Sequence, residues 1–182
     1  MKHEVKFTGF GGQGIVLSAV VVGRAATMYD GKHAIQSQSY GPEARGGTSS
    51  STVIISDEPI QYPKVLEPTI YVIMSEAGFL KFGAHASSEA VMILDSGMVQ
   101  SRPAFPCVEI PATIKSKEIL GKPIFANIIM LGALVAATGV VSEEAMQKAV
   151  LDTVPKGTED LNIKALRLGI ELASGGGNHE AA

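Results

Sequence analysis

The feature that most constrains this chain is Gly9-Phe10-Gly11-Gly12-Gln13-Gly14, because it joins two different hydrophobic periods. Before it, Val5 and Phe7 alternate with Glu4, Lys6 and Thr8, which predicts a strand. After it, Ile15, Val16, Ala19, Val20, Val22, Gly23 and Ala26 predict a helix over about 14–29. A strand feeding a helix through a glycine turn opens a nucleotide-type α/β fold. Glycines remove Cβ atoms where the turn is tight and accept positive φ. The first N–H groups of the helix have no intrahelical partner, so an anion can sit there. Three readings are open: a bound dinucleotide, a phosphate or other anion, or glycines that serve only close helix–strand packing. The spacing Gly9-x-Gly11-x-x-Gly14 matches the dinucleotide fingerprint, but that fingerprint also wants an acid at the end of the second strand, about 20 residues on. Asp30 lies near that spacing but precedes Gly31 in the turn after the helix, and Glu43 follows the Gly41-Pro42 turn.

At 182 residues the chain is expected to form one domain over 1–173, with 174–182 as a flexible glycine-rich tail. A net charge of −3 and no Lys/Arg run argue against nucleic acid or an anionic membrane as partner. The apolar stretch 124–141 is interrupted by Asn127, Gly132, Thr138 and Gly139, and reads as a buried helix, not a membrane span. The opening residues lack the apolar run of a signal peptide, so the expected compartment is the cytoplasm. The single cysteine, Cys107, cannot hold an iron–sulfur cluster and reads as a core residue of a buried strand. His3, His33, His85 and His179 show no metal-ligand spacing, so no metal site is expected.

A second strand is predicted over 33–39, polar for a parallel-sheet interior, so it belongs near an edge or faces a partner. Ser39-Tyr40-Gly41-Pro42-Glu43-Ala44-Arg45-Gly46-Gly47 follows, with turn signals and one cation, and reads as a surface or binding loop. No helix pattern separates that strand from the β-branched run 51–56, so the two are expected to pair antiparallel. Residues 60–63 suggest a short strand extension. Buried strands are predicted over 69–74, 90–95 and 104–110, placing Ser75 and Asp95 at strand ends, where open sheets bind ligands and where turns are also capped. Short helices are expected over 76–83 and 113–120, and longer ones over 127–138, 142–152 and from about 159. The expected fold is therefore α/β: a Rossmann-like three-layer sandwich with a mixed, mostly parallel sheet and helices on both faces.

Three motifs occur together: Gly9-x-Gly11-Gly12-Gln13-Gly14, Ser39-Tyr40-Gly41-Pro42-Glu43-x-Arg45-Gly46-Gly47, and Asn127-x-x-x-Leu131-Gly132-Ala133. In these the chain resembles the gamma subunit of 2-oxoacid:ferredoxin (or flavodoxin) oxidoreductases over about 5–172, with wording around Gln36-Ser37-Gln38 most like the 2-oxoglutarate branch. The resemblance implies oxidative decarboxylation of a 2-oxoacid to an acyl-CoA, CO2 and reduced ferredoxin. It implies thiamine diphosphate, Mg2+, iron–sulfur clusters and coenzyme A in the complex, none of them expected on this chain alone. Implied partners are alpha, beta and ferredoxin-like delta subunits, with ferredoxin or flavodoxin as acceptor; the isolated chain is expected to be inactive and able to homodimerise through its docking face. No catalytic residue is expected here. Gly9, Gly11, Gly12, Gln13, Gly14 and Ser75 are the cofactor-binding candidates. Ser39, Tyr40, Gly41, Pro42, Glu43, Arg45, Gly46, Gly47 and Asn127 are candidates for a subunit interface or binding loop. The rival expectations are a stand-alone dinucleotide-binding oxidoreductase and a non-catalytic phosphate-binding assembly module.

Overall fold

The structure, a computed structural model, describes residues 1–39, 48–65 and 67–175. The N-terminal alternation forms β1 (Lys2–Phe10), with Val5 and Phe7 in the main core and Lys6 and Thr8 on the opposite face. β2 (His33–Ser39) and β3 (Thr48–Ser56) form an antiparallel pair, and β3 runs antiparallel to β1. On the other side of β1, strands β4 (Ile70–Ile73), β5 (Val91–Asp95) and β6 (Val108–Ile110) continue parallel. The sheet therefore reads β2-β3-β1-β4-β5-β6, and the polar strand β2 is at its edge, as its composition required.

Helices cover both faces. α1 (Ile15–Arg24) continues as a π-helical turn, Ala25–Tyr29, and buries Ala19, Val21 and Val22 against the face that carries Val5, Val53 and Val72. α3 (Ala112–Leu120), α4 (Ala126–Thr138), α5 (Glu143–Thr153) and α6 (Glu159–Gly175) contribute to the same core. The first ten residues of α4 are all buried, so its apolar surface on every side is that of an interior helix. No helix among the described residues is long and apolar enough to cross a membrane. The opposite face carries a smaller cluster of Tyr71, Ile73, Met92 and Leu94, covered by α2 (Glu76–Gly78) and the π-helical turn Phe79–Gly83.

α4 and α6 cross where two glycines face each other's backbone. A Cβ on Gly169 would meet the Ile129 carbonyl group, 2.8 Å from its carbon, and one on Gly132 would lie 2.9 Å from Ile170 N. α5 starts at Ser142, whose hydroxyl accepts from Ala145 N–H at 3.1 Å, with Glu143 and Glu144 in the first turn.

Several local expectations are corrected. The strand expected over 104–110 shortens to Val108–Ile110, because Pro106 has no N–H to give the ladder. Cys107 therefore lies outside the strand and is half-buried rather than in a strand core, with burial pushing its thiol pKa up. Residues 60–63 form no strand; Pro59 and Pro63 bracket them. The last helix runs through Gly175, two residues into the stretch expected as tail, and 176–182 lie outside the described residues.

Candidate functional site

The glycine loop leaves β1 at its C-terminal end, beside the ends of β4 and β5. Gly12 and Gly14 have φ of 92° and 74°, and Gly14 is the N-cap of α1, with no side chain capping the helix start. Left-handed backbone at a non-glycine residue costs about 1–2 kcal/mol. Gln13 pins the loop: its Oε1 accepts from Phe10 N–H at 2.6 Å, and its Nε2 donates to the Met74 carbonyl at 3.0 Å. The Gln13 amide thus ties the end of β1 to the end of β4. Gly9 lies under this arrangement, where a Cβ would come within 2.7 Å of Ile15 Cδ1. Gly11 and Gly12, in contrast, are exposed and have open space where side chains would be. The four glycines therefore divide into packing positions, Gly9 and Gly14, and open positions, Gly11 and Gly12.

Asn127 reaches this loop from the first turn of α4. A Cβ on Gly14 would collide with the Asn127 side-chain amide, whose Cγ would be 2.9 Å away. Asn127 is 4% exposed, and its Oδ1 has no hydrogen-bond partner. Two motifs separated by more than a hundred residues in sequence are thus in contact. Beside them opens a cleft of about 390 Å³, lined by Gly12, Gln13, Met74, Met98, Thr113, Lys117 and Ile124. The connection from β1 leads to the β2 side of the sheet, and the one from β4 leads to β5, so the cleft sits at the topological switch point. Lys117 was not singled out from sequence, where it is one of several surface lysines; its position comes from the packing of α3 over the strand ends.

Ser75 and Asp95 stand at strand ends but face inward. The Ser75 hydroxyl accepts from Gly78 N–H at 3.1 Å and caps α2, and the residue is fully buried. Asp95 accepts from Gly97 N–H at 3.1 Å, Thr113 N–H at 3.1 Å and Thr113 Oγ1 at 2.5 Å. Burial raises its carboxyl pKa, opposed by these hydrogen bonds. Asp30, the residue nearest the fingerprint's acid position, accepts from Ser142 N–H at 2.7 Å and Ser142 Oγ at 2.6 Å. It fastens α5 at the far end of the sheet. The antiparallel β3 also separates β2 from β1, so the end of β2 does not lie next to the glycine loop as a ribose-binding acid must.

Tyr40, Gly41, Pro42, Glu43, Arg45, Gly46 and Gly47 lie outside the described residues. The strand positions on either side are informative: Ser39 pairs with Ser50, and Thr48 pairs with Phe10. The chain therefore leaves and re-enters the sheet at the end that carries the glycine loop. Among the described residues no three His, Cys, Asp or Glu side chains cluster as a metal site.

Comparison with known proteins decides the family. The model of the pyruvate ferredoxin/flavodoxin oxidoreductase family matches residues 4–172. The chain belongs to this family. It is 49% identical over 178 residues to a 2-oxoglutarate synthase subunit KorC of Methanocaldococcus jannaschii, with 95% of each chain covered. A crystal structure of the gamma subunit of a keto/oxoacid ferredoxin oxidoreductase from Geobacter sulfurreducens superposes with a TM-score of 0.86 at 42% identity, covering 95% of this chain and 99% of that one. The fold is also present in a 2-oxoglutarate:ferredoxin oxidoreductase from Magnetococcus marinus, at a TM-score of 0.80 and 19% identity, covering 99% of this chain and 32% of that one. That enzyme was solved with 2-oxoglutarate, coenzyme A and succinyl-CoA bound. The gamma-subunit resemblance read from the three motifs is borne out, and with it the expectation of an oxidoreductase subunit for 2-oxoacids. The stand-alone dinucleotide enzyme is set aside.

Proposed function

We propose that this chain is the gamma subunit of a 2-oxoglutarate:ferredoxin oxidoreductase, and that its glycine loop receives the diphosphate of coenzyme A. The observation that carries the substrate is the 49% identity, over nearly the whole of both chains, to a 2-oxoglutarate synthase subunit. The assembly oxidatively decarboxylates 2-oxoglutarate, passes the acyl group to coenzyme A and two electrons to ferredoxin or flavodoxin. Thiamine diphosphate with Mg2+, and iron–sulfur clusters, supply the decarboxylation and electron transfer when bound; we place them on alpha, beta and delta subunits, in the cytoplasm.

The contribution of this chain is binding. Gly11 and Gly12 leave room for backbone to approach an anion, α1 offers unpartnered N–H groups at its start, and Lys117 adds a cation at the cleft. The largely apolar wall of Met74, Met98 and Ile124 suits the uncharged part of such a ligand. Asn127 and Gln13 hold the loop in place; Ser75 acts through the cap beneath it.

The oxoacid is tested by purifying the tagged chain with its partners from its own cells and measuring coenzyme A-dependent reduction of a low-potential acceptor. The highest kcat/KM is expected with 2-oxoglutarate; a preference for pyruvate or a branched-chain 2-oxoacid would overturn the substrate assignment.

A further inference from the structure

The sheet face opposite α1 and α4 bears a second cavity, of about 520 Å³, which shares no lining residue with the glycine-loop cleft. Its floor is a row across four strands: Ser37 pairs with Thr52, Thr52 with Lys6, and Lys6 with Tyr71. Lys64, Lys81 and His85 also line it, along with Phe82. The Lys6 ammonium lies 4.1 Å from the Phe82 ring centroid, and that of Lys81 lies 5.5 Å from the same centroid. The two charges are thus within about 10 Å of each other, roughly one Debye length at 0.1 M ionic strength, and the partial burial of Lys6 reduces the screening between them.

Lys6 needs an explanation. Strand periodicity directs it to the face where β4 and β5 carry Tyr71, Ile73, Met92 and Leu94, and packing alone favours an apolar residue there. Burial, and then Lys81, hold its pKa below the ordinary 10.5. Among the described residues, none of Lys6, Lys64 and Lys81 forms an ion pair; the pairs present are elsewhere. Lys6 is half-buried, whereas Lys64 and Lys81 are exposed at the rim, and an anion held among them would offset both the desolvation of Lys6 and its repulsion from Lys81.

The shape indicates which anion. The volume falls in the range of small-ligand sites, roughly 300–1,000 Å³. Three ammonium groups line it: Lys6 on β1, Lys64 in the segment before β4, and Lys81 in the π-helical turn Phe79–Gly83. A tetrahedral phosphate can accept from all of these, whereas a planar carboxylate meets fewer. Phe82 adds aromatic surface to the lining, beside the two ammonium groups that sit against its ring.

We propose that this cavity binds a phosphate dianion, either on a small phosphate ester or as free inorganic phosphate, at a site separate from the glycine loop. The test is calorimetric titration of the full chain with inorganic phosphate and with AMP at low ionic strength, for the wild type, Lys6→Met and Lys81→Met. Lys81 is exposed, so its variant keeps the fold, and Met at position 6 keeps the buried stem. Saturable binding is expected, weakened roughly tenfold or more by each substitution, as for loss of one charged hydrogen bond. Tighter binding of AMP than of phosphate identifies an ester as the ligand; equal affinities identify the free ion. Absence of saturable binding overturns the proposal, as does an affinity unchanged in both variants, the result that binding at the glycine loop would give. A hexaglutamate peptide that binds more tightly than both phosphate ligands overturns it in favour of an acidic protein segment.

Discussion

Replacing Gly14 by Ala tests how the glycine loop is held, and the structure separates its cost into two parts. The first is backbone: at φ 74° an alanine is in the left-handed region, at a cost of about 1–2 kcal/mol. The second is collision with Asn127, which is buried and flanked by the rest of α4. Overpacking of this kind costs about 1–3 kcal/mol. Gly14→Ala is therefore expected to lose about 2–5 kcal/mol in total. The second part depends on Asn127 and the first does not. In an Asn127→Ala background, where the amide is gone, Gly14→Ala should cost only the backbone part. The double-mutant cycle should then show a coupling of about 1–3 kcal/mol, with the double variant more stable than additivity predicts. Urea unfolding of the four proteins measures this. With an m-value of about 2 kcal/mol/M, the single Gly14→Ala variant shifts its midpoint by roughly 1–2.5 M at unchanged m. Additivity within about 0.5 kcal/mol would refute the contact between the two motifs.

Further outcomes follow from the same geometry. Gly169→Ala meets backbone atoms of α4, not a movable side chain, so it should destabilise the chain by about 3 kcal/mol or more, read by urea unfolding; a loss below about 0.5 kcal/mol would contradict the close helix crossing. Glu76 accepts from Gln100 N–H at 2.7 Å, Ser101 N–H at 3.2 Å and the Ser101 hydroxyl. The Ser101 hydroxyl is the leading cause that holds its carboxyl pKa below the ordinary 4.5, ahead of the two backbone donors and against desolvation. A depressed folded-state pKa contributes stability above the unfolded value that is lost as pH falls through the folded one. Glu76→Gln should therefore lower stability near neutral pH and flatten its decline below about pH 4.5; an unchanged acid limb in a pH series of thermal melts would contradict this.

Much of the fold was legible because it rests on local signals. The Val5/Phe7 alternation, the glycine turn and the β-branched run of β3 each specify one element, and the absence of a helix pattern between β2 and β3 specified their antiparallel pairing. Ser142 announced the start of α5 by its type and by the glutamates after it. What was not legible depends on which parts of the chain meet in space. Gln13 looks in sequence like a ligand-facing residue of the loop, but its amide is engaged by Phe10 and Met74, and Met74 directly follows β4, a strand distant in sequence. Asp95 and Ser75 have the residue type and the strand-end position of ligand contacts. Only the orientation of each side chain distinguishes a capping residue from an exposed one. Lys117 and Lys6 carried no motif; α3 brings one to the cleft, and strand register sets the other on the floor of the second cavity. The contact between Gly14 and Asn127 was not legible: the two lie 113 positions apart, and the sequence marked Asn127 only as an interface or binding-loop candidate.

The most direct test of the central claim is hydrogen exchange at the amides of Gly11, Gly12, Gln13 and Gly14 in the assembled enzyme, with and without saturating coenzyme A. A diphosphate held at the start of α1 should slow exchange across this loop and leave the α4–α6 crossing unchanged. Equal exchange in the two states would contradict the claim, and would leave the glycine loop as a packing device that joins β1 to α1.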